Sequence, residues 1–294
     1  MAEAGEKNVR AADGTRSPAA SSADSRPLRV EDCPSAGASR PVGGQVPALS
    51  AEDLTLSWDG EHIVVQGVDV TVAPGEVCCL VGRSGCGKTT ILHALAGLTT
   101  PMAGRVLLHG EDVTGRPGRV SYMLQKDLLL PSRRIIDNVC LPLVLSGMKK
   151  ADARAKAAPL FGRFGLVGCE LKWPSELSGG MRQRAAFLRT YLMGADVTLL
   201  DEPFSALDAL TRAEVRHWFV DVASELGLSA LVITHDVDEA VSMASRIYVL
   251  AGAPAAGEPS HVAGIVTVER VASESFELTD EYLAAKRRVM ALLG

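Results

Sequence analysis

A glycine-rich loop suited to holding phosphate occupies residues 82–89, where the sequence reads GRSGCGKT. It fits the pattern G-x-x-x-x-G-K-[ST], in which glycines allow successive backbone N–H groups to point inward at phosphate oxygens. In such a loop Lys88 reaches the β- and γ-phosphates, and the Thr89 hydroxyl ligates Mg²⁺. The pattern therefore predicts a nucleotide-binding site. It does not specify the class of protein, because kinases and GTPases have the same pattern. The candidate nucleotide-binding residues are Gly82, Arg83, Ser84, Gly85, Cys86, Gly87, Lys88, Thr89 and Thr90.

The same loop contains a cysteine, Cys86, at the start of the predicted helix that follows and close to Lys88. A helix N-terminus and a neighbouring ammonium group both lower the pKa of a thiol, which raises its reactivity. We therefore expect alkylation of Cys86 to block nucleotide binding. The alternative is that the loop merely tolerates a small side chain at this position.

Two acidic residues follow an apolar run at 197–200, and a histidine follows a second apolar run at 230–234. Ligands of open α/β sheets bind beyond the carboxyl ends of the strands. We expect Asp201 to hold Mg²⁺, directly or through water, and Glu202 to polarise an attacking water. His235 would contact the γ-phosphate and stabilise developing charge. Taken alone, the acids would fit a solvated turn and the histidine a structural role, but the phosphate loop favours catalysis.

The elements around these motifs alternate between strands and helices, which predicts an α/β fold with a largely parallel sheet, as in P-loop NTPases. Short apolar runs indicate strands buried on both faces, at 77–81, 197–200 and 230–234. The alternation of apolar and polar residues at 54–72 indicates an antiparallel β subdomain. Residues 151–194 have mostly helical composition, interrupted at 173–180, and residues 279–293 predict a closing helix.

The ends and the composition of the chain indicate where it works. Residues 1–47 are rich in Ala, Gly, Ser, Pro and charge, which predicts a disordered extension before one folded domain at 48–294. The net charge of −5 gives no sign of nucleic-acid binding. No apolar run approaches the roughly 18 residues of a membrane span, and no secretory signal is apparent, so we expect a cytosolic chain. The six cysteines form no CxxC pair, which favours reduced thiols.

Residues 177–184 read LSGGMRQR and resemble the signature motif of ABC ATPases, usually written LSGGQ, with Met181 where Gln is commoner. Ser178 and the amides of Gly179 and Gly180 would open the following helix and present an anion site. The resemblance implies that this site faces the γ-phosphate of an ATP bound by a second copy of the chain. Two ATP molecules, each with Mg²⁺, would then lie between the two subunits of a homodimer.

Other motifs of the ABC family follow in order over about residues 50–250. Gln125 resembles the glutamine of the Q-loop, which implies a catalytic role, contact with Mg²⁺ and a link to the transmembrane partner. Ser205–Asp208 resembles the D-loop, which touches the opposite subunit, and His235 matches the H-loop. Trp58 lies where the family places an aromatic residue that stacks on adenine. Packing in the protein core is the alternative for this tryptophan.

With one set of motifs and no membrane span, the chain resembles the separate ATP-binding subunits of importers, above all the branch for nitrate, sulfonate, taurine and hydroxymethylpyrimidine. GLTTPMAG at 97–104, LLLP at 128–131 and LDALTR at 207–212 carry this likeness. It implies a position at the cytoplasmic face of the membrane, on an integral permease that works with a solute-binding protein. Segment 128–136 would form part of the groove for the permease's coupling helix, although Ser132 stands where that branch often has Trp.

Two other functions remain open at the level of the sequence. A soluble ABC ATPase outside transport would act as a nucleotide-gated interaction switch, and the complete set of catalytic residues argues against it. A P-loop kinase would not account for the signature motif. Import specificity resides in the permease and the solute-binding protein, so the sequence of this chain does not name a solute.

Overall fold

The computed structural model describes residues 46–269 and 276–294. The extension predicted at residues 1–47 lies outside this range apart from its last two residues, and Cys33 lies outside it as well. Within the described ranges, no helix combines the length and the apolar composition that a bilayer-crossing segment requires.

Ten strands form one mixed sheet in the described residues. The strands are β1 (Leu49–Ser57), β2 (Ile63–Val72), β3 (Val77–Gly82), β4 (Ala103–Leu108), β5 (Glu111–Asp112), β6 (Ser121–Met123), β7 (Val197–Asp201), β8 (Ser229–Thr234), β9 (Arg246–Ala253) and β10 (Glu258–Thr267). Their order across the sheet is β5-β4-β1-β2-β10-β9-β3-β8-β7-β6. The α-helices are α1 (Lys88–Leu95), α2 (Ile135–Val139), α3 (Leu141–Leu145), α4 (Lys150–Ala157), α5 (Leu160–Arg163), α6 (Gly179–Tyr191), α7 (Ala209–Leu226), α8 (Val237–Met243) and α9 (Asp280–Leu293).

Five neighbouring strands, β9, β3, β8, β7 and β6, run parallel to one another. All residues of β7 and β8 are buried, as are all but the first residue of β3, which is the pattern of strands covered on both faces. Because these strands share one direction, the residues that follow β3, β7 and β8 emerge at the same edge of the sheet. The predicted parallel core is confirmed.

The other half of the sheet is antiparallel, as residues 54–72 predicted. Strand β1 pairs with β2 on one side and β4 on the other, and β5 extends β4. Strand β10 is antiparallel to β9 and meets β2 at one parallel pair, Ser260 with Val65. This strand therefore joins the antiparallel half to the parallel core.

The helical segment between β6 and β7 packs through aromatic side chains that are fully buried. The ring of Phe219 in α7 lies 4.9 Å from the ring of Phe187 in α6 and 6.0 Å from the ring of Phe204, measured between centroids. Such tilted aromatic pairs add stability beyond their buried area. They hold α6 against α7, so the predicted helical signature subdomain is confirmed together with its attachment to the core.

Gly104, the second residue of β4, permits the close approach of β4 to β1. Its φ is +87°, and a Cβ there would lie 2.3 Å from the carbonyl oxygen of Asp53. Gly60 has a similar φ of +85° but open space around it, so it offers a matched comparison.

We expect Gly104→Ala to lower the free energy of unfolding by ~3 kcal/mol, since the left-handed backbone and the clash both oppose a Cβ. Gly60→Ala should lower it by only ~1 kcal/mol, because it carries the backbone cost alone. Urea unfolding midpoints of the two variants, at an unchanged slope, measure the difference. Equal losses would show that the contact with Asp53 is not close in solution.

Candidate functional site

The glycine-rich loop connects β3 to α1 at the carboxyl edge of the parallel strands. Gly85 and Gly87 adopt φ values of +80° and +91°, which residues with a side chain rarely reach. At Gly87 a Cβ would also lie 2.8 Å from a methyl group of Val65. Backbone conformation and space therefore both require glycine at position 87, and the loop curls towards the start of α1.

Lys88 is the first residue of α1, and its side chain lies back across the loop. Its ammonium nitrogen donates hydrogen bonds to the carbonyl oxygens of Gly82, at 2.9 Å, and Arg83, at 3.0 Å. The residue is buried, and these neutral carbonyl groups satisfy the hydrogen-bonding needs of its ammonium group. The positive charge is thus held within the curve of the loop, where it can meet an anion.

The side chain of Arg83 leaves the loop and contacts the end of the last helix. Its guanidinium group donates to the carbonyl oxygens of Leu293 and Gly294, at 3.2 and 2.9 Å. A cation at these carbonyls complements the negative end of the dipole of α9. Arg83 therefore contributes its backbone to the loop, while its side chain ties the loop to α9.

The structure contradicts the expected reactivity of Cys86. The residue is only 2% exposed, and its sulfur lies where it would be 2.7 Å from a Cβ on Gly82. Burial raises the pKa of the Cys86 thiol, and this outweighs the opposite influence of Lys88. The expectation of a lowered pKa was wrong because it considered the helix and the charge but not the packing of the loop against β3.

Asp201 ends β7 and is nearly buried. Its Oδ1 accepts a hydrogen bond from the Thr89 hydroxyl at 3.4 Å, and its Oδ2 accepts one from the Tyr122 hydroxyl at 3.2 Å. Burial raises the pKa of the Asp201 carboxyl above its ordinary value, and the bond from Tyr122 opposes that shift. Two of the three predicted metal ligands, Thr89 and Asp201, are therefore in contact.

Glu202 lies between the two other catalytic candidates. Its Oε2 is 3.1 Å from Nδ1 of His235 and 3.5 Å from the side-chain nitrogen of Gln125. The same nitrogen of Gln125 lies 3.3 Å from the hydroxyl of Ser205. Glu202 follows β7, His235 follows β8 and Gln125 lies just after β6. Because these strands are parallel neighbours, the sheet brings the three residues together. Gln125 is seen beside Glu202, and its role as a metal ligand stays a prediction.

The backbone of Glu202 is held in an unusual conformation. Its φ is +42°, in the left-handed region that residues with side chains seldom occupy. Its N–H donates to the carbonyl of Ile233, and its own carbonyl accepts from the backbone and hydroxyl of Ser205. The side chain of Gln183 in α6 donates to the carbonyl of Pro203. These contacts maintain a strained backbone at the candidate catalytic residue, as is common at active sites.

Ser178 begins the signature helix as predicted, with its hydroxyl accepting a hydrogen bond from the N–H of Met181 at 3.3 Å. Gly180 packs closely on α7, where a Cβ would lie 2.8 Å from a methyl group of Thr211. Over the described part of the chain, no hydrogen bond or ion pair joins residues 178–180 to the loop at 82–89. Their service to a site on another copy of the chain stays a prediction.

Trp58 lies beside the phosphate loop and is 67% exposed, with its indole N–H donating to the Thr90 hydroxyl at 3.1 Å. Such exposure excludes the alternative of core packing. Stacking on adenine remains a prediction that this location favours.

Segment 128–136 is hydrogen-bonded to α2 and α6, and two of its leucine side chains lie on the surface. The fully buried Asn138 of α2 bonds both the N–H and the carbonyl of Leu130. Arg189 of α6 donates to the carbonyls of Asp127 and Leu128, at 2.6 and 2.9 Å. The side chains of Leu128 and Leu130 are exposed. A cavity of about 380 Å³ lies alongside, lined in part by Lys126, Arg182, Gln183 and Leu207.

Tyr122, Gln183 and Arg189 support the site, and sequence reasoning missed all three. Each acts through a partner at least 20 positions away in the sequence. Gln183 lies within the signature stretch 177–184 but had no role assigned to it, and Tyr122 and Arg189 belong to no motif named above. For Tyr122 the available signal was its position in a short strand three residues before Gln125.

The chain is similar in sequence to proteins of known family. A family model described as ABC transporter matches residues 65–205. The chain is 38% identical over 209 residues to the formylaminopyrimidine import ATP-binding protein ThiZ of Halalkalibacterium halodurans, spanning 71% of this chain and 82% of that protein. It is 40% identical over 206 residues to the taurine import ATP-binding protein TauB of Yersinia pestis, spanning 70% and 80%. The aliphatic sulfonates import ATP-binding protein SsuB of Cupriavidus necator is 40% identical over 220 residues, spanning 74% and 70%.

Solved structures share the fold. A bacterial ABC transporter cassette in dimeric form aligns with a TM-score of 0.63 at 24% identity, over 76% of this chain and 100% of that one. An ATP-binding cassette of an ABC transporter aligns with a TM-score of 0.65 at 18% identity, over 75% and 91%. At these identities the likeness supports the fold alone, and it confirms the predicted α/β class.

The burial of Cys86 generates a prediction about its chemistry. With iodoacetamide at pH 8, we expect Cys86 in the folded protein to react at least about tenfold more slowly than in the urea-unfolded chain, since the thiol is both inaccessible and protonated. A time course of the modified peptide by mass spectrometry measures both rates. Comparable rates would restore the expectation of a reactive thiol.

Proposed function

Because the chain belongs to the ATP-binding subunits of ABC transporters, a family of ATPases, we propose that it energises the import of a small polar solute through a membrane permease. ATP would bind at the glycine-rich loop and be hydrolysed between two copies of the chain. The observation that carries the proposal is the convergence of Glu202, His235 and Gln125 beside the Thr89–Asp201 pair. Relatives named as import ATP-binding proteins support the direction of transport.

The loop supplies the phosphate contacts. Lys88 would exchange its bonds to the carbonyls of Gly82 and Arg83 for bonds to β- and γ-phosphate oxygens. The N–H groups of the loop and the N-terminus of α1 point towards the same anion. Trp58, beside Thr90, would cover the adenine ring.

The donor set at Thr89 and Asp201 fits Mg²⁺, which prefers hard oxygen ligands and takes few of them from the protein. In the parts of the chain that the structure describes, no cluster of three or more His, Cys, Asp or Glu side chains is suited to a metal. The phosphates would therefore supply most of the remaining ligands. Held by Thr89 and Asp201, Mg²⁺ would neutralise charge on the phosphates.

Hydrolysis would depend on the carboxylate of Glu202, which would orient and polarise the attacking water. His235, 3.1 Å from that carboxylate, would hold it in place and contact the γ-phosphate. Gln125 approaches the same carboxylate from the segment that leads to the surface at Leu128 and Leu130. Events at the permease could thereby alter the catalytic centre.

A second copy of the chain would complete the site. The capped N-terminus of α6 presents the amides of Gly179 and Gly180, yet it makes no bond to the phosphate loop of its own chain in the ranges described. A γ-phosphate bound by a partner copy would satisfy these amides and favour a closed dimer. Hydrolysis would remove that contact and reopen the dimer.

The solute class proposed is nitrate, sulfonates, taurine or pyrimidine precursors of thiamine. Relatives named for the import of formylaminopyrimidine, aliphatic sulfonates and taurine support this range. The chain would sit at the cytoplasmic face of the membrane as a peripheral subunit, with a solute-binding protein acting on the far side. The competing proposal is a soluble ABC ATPase that works as a nucleotide-gated interaction switch. The exposed leucines and fixed backbone of segment 128–136 favour a docking surface for a permease.

Glu202→Gln tests the hydrolytic site. We expect this variant to bind ATP, to hydrolyse it at least about 10²-fold more slowly, and to accumulate as a dimer with ATP, since the amide cannot act as a base. Phosphate release and size-exclusion chromatography measure the two effects. Glu214→Gln, at an exposed position of α7, is the control and should behave as the unmodified protein. Turnover of Glu202→Gln within twofold of the unmodified rate would remove Glu202 from its role.

Affinity purification from detergent-solubilised native membranes tests the transport role. The tagged chain should recover an integral membrane protein, identified by mass spectrometry. Leu128→Asp should lose this partner while keeping ATP hydrolysis, because it puts a charge on the proposed docking surface. Leu278→Asp, at a position 84% exposed, is the control and should keep the partner. Recovery of soluble partners alone would support the interaction switch instead.

A further inference from the structure

The carboxylate of Asp201 is held from two sides by different elements of the fold. Thr89, in α1, donates to Oδ1, and Tyr122, in β6, donates to Oδ2. Thr89 and Asp201 form the proposed metal site. Tyr122 lies on the side of the carboxylate away from Thr89's oxygen and belongs to no motif considered above.

The register of the sheet explains why Tyr122 reaches Asp201. Strands β6 and β7 are parallel, and Tyr122 lies opposite Leu199. Residues two apart on a strand point to the same face, so Asp201 lies diagonally across from Tyr122. The contact joins residues 79 positions apart in the sequence.

The tyrosine ring is itself held in place. The ring of His93, in α1, meets it edge-on, with centroids 5.9 Å apart and planes at 82°. The ring also packs against the hydrophobic core cluster that includes Leu92 of α1 and Leu199 of β7. The hydroxyl is thereby kept within hydrogen-bond distance of Oδ2 of Asp201, at 3.2 Å.

We infer that Tyr122 is a positioning residue for the metal of the nucleotide complex: its hydroxyl holds Oδ2 of Asp201 and thereby directs Oδ1 towards Thr89. The inference rests on the proposed function and assigns to it a residue outside the family motifs described above. Without the hydroxyl, the largely buried carboxylate gains rotational freedom and loses a hydrogen-bond partner. Groups that orient a metal ligand in this way typically contribute 10- to 100-fold to metal affinity.

Tyr122 also connects the metal site to the segment that carries Gln125. Strand β6 ends at Met123, and Gln125 follows two residues later. A shift of this segment would therefore act on the Asp201 carboxylate through the tyrosine hydroxyl, as well as on Glu202 through the amide of Gln125.

Tyr122→Phe tests the inference, because it removes the hydroxyl and keeps the ring against His93. The variant is made together with Glu202→Gln, so that ATP is bound without being hydrolysed. ATP affinity is measured by equilibrium dialysis with saturating Mg²⁺ and again with EDTA. The ratio of the two affinities reports the coupling between ATP and the metal.

We expect Tyr122→Phe to lower this ratio by about tenfold while the affinity in EDTA changes less than twofold, since Lys88 and the loop amides are untouched. Tyr248→Phe is the matched control, because its buried hydroxyl bonds Thr71 and lies outside the site. The control should leave the ratio unchanged even if thermal stability falls. Thermal midpoints of both variants show that each is folded.

The outcomes separate the two proposals. An unchanged ratio in Tyr122→Phe, in a parent that binds ATP more tightly with Mg²⁺, would overturn the positioning role alone. An equal fall in Tyr122→Phe and Tyr248→Phe would also overturn it, since the effect would then be general loosening of the sheet. A parent that binds no ATP in either medium would instead overturn the proposed function.

Discussion

The register of three buried parallel strands is the constraint on which the candidate site depends. Val81 of β3 lies opposite Thr234 of β8, and Ile233 of β8 lies opposite Asp201 of β7. These strands are shielded on both faces, so a slip of one residue would leave backbone groups unpaired and turn side chains to the wrong face. The register therefore places three features side by side at the carboxyl edge of the sheet: the phosphate loop, the acidic pair and the histidine.

The site keeps its charges available to a ligand. Lys88 is bonded to carbonyl oxygens, and Asp201 to the hydroxyl groups of Thr89 and Tyr122. Neutral partners satisfy each buried ion without cancelling its charge. An anion and a cation bound together, as in Mg²⁺ with a nucleotide, would meet polar groups already oriented towards them.

Side-chain hydrogen bonds connect the signature helix, α6, to the segment after Gln125. Arg189 of α6 holds the carbonyls of Asp127 and Leu128, and Arg182 of the same helix lies 3.3 Å from the carboxylate of Asp127. Charge-assisted bonds of this kind are stronger than neutral ones. A displacement at the surface near Leu128 would therefore reach α6 and Gln125 together.

The sequence by itself determined the features that depend on short spacings: the phosphate loop at 82–89, the cap at Ser178, the apolar strands and the acids that follow them. These follow from backbone conformation and local periodicity, which neighbouring residues control. Only the tertiary structure decided the contact of Tyr122 with Asp201, the turn of the Arg83 side chain towards α9 and the burial of Cys86. In each case the partner belongs to a different element of the fold. Burial and hydrogen bonding there depend on how the two elements pack, which the local sequence of neither element specifies.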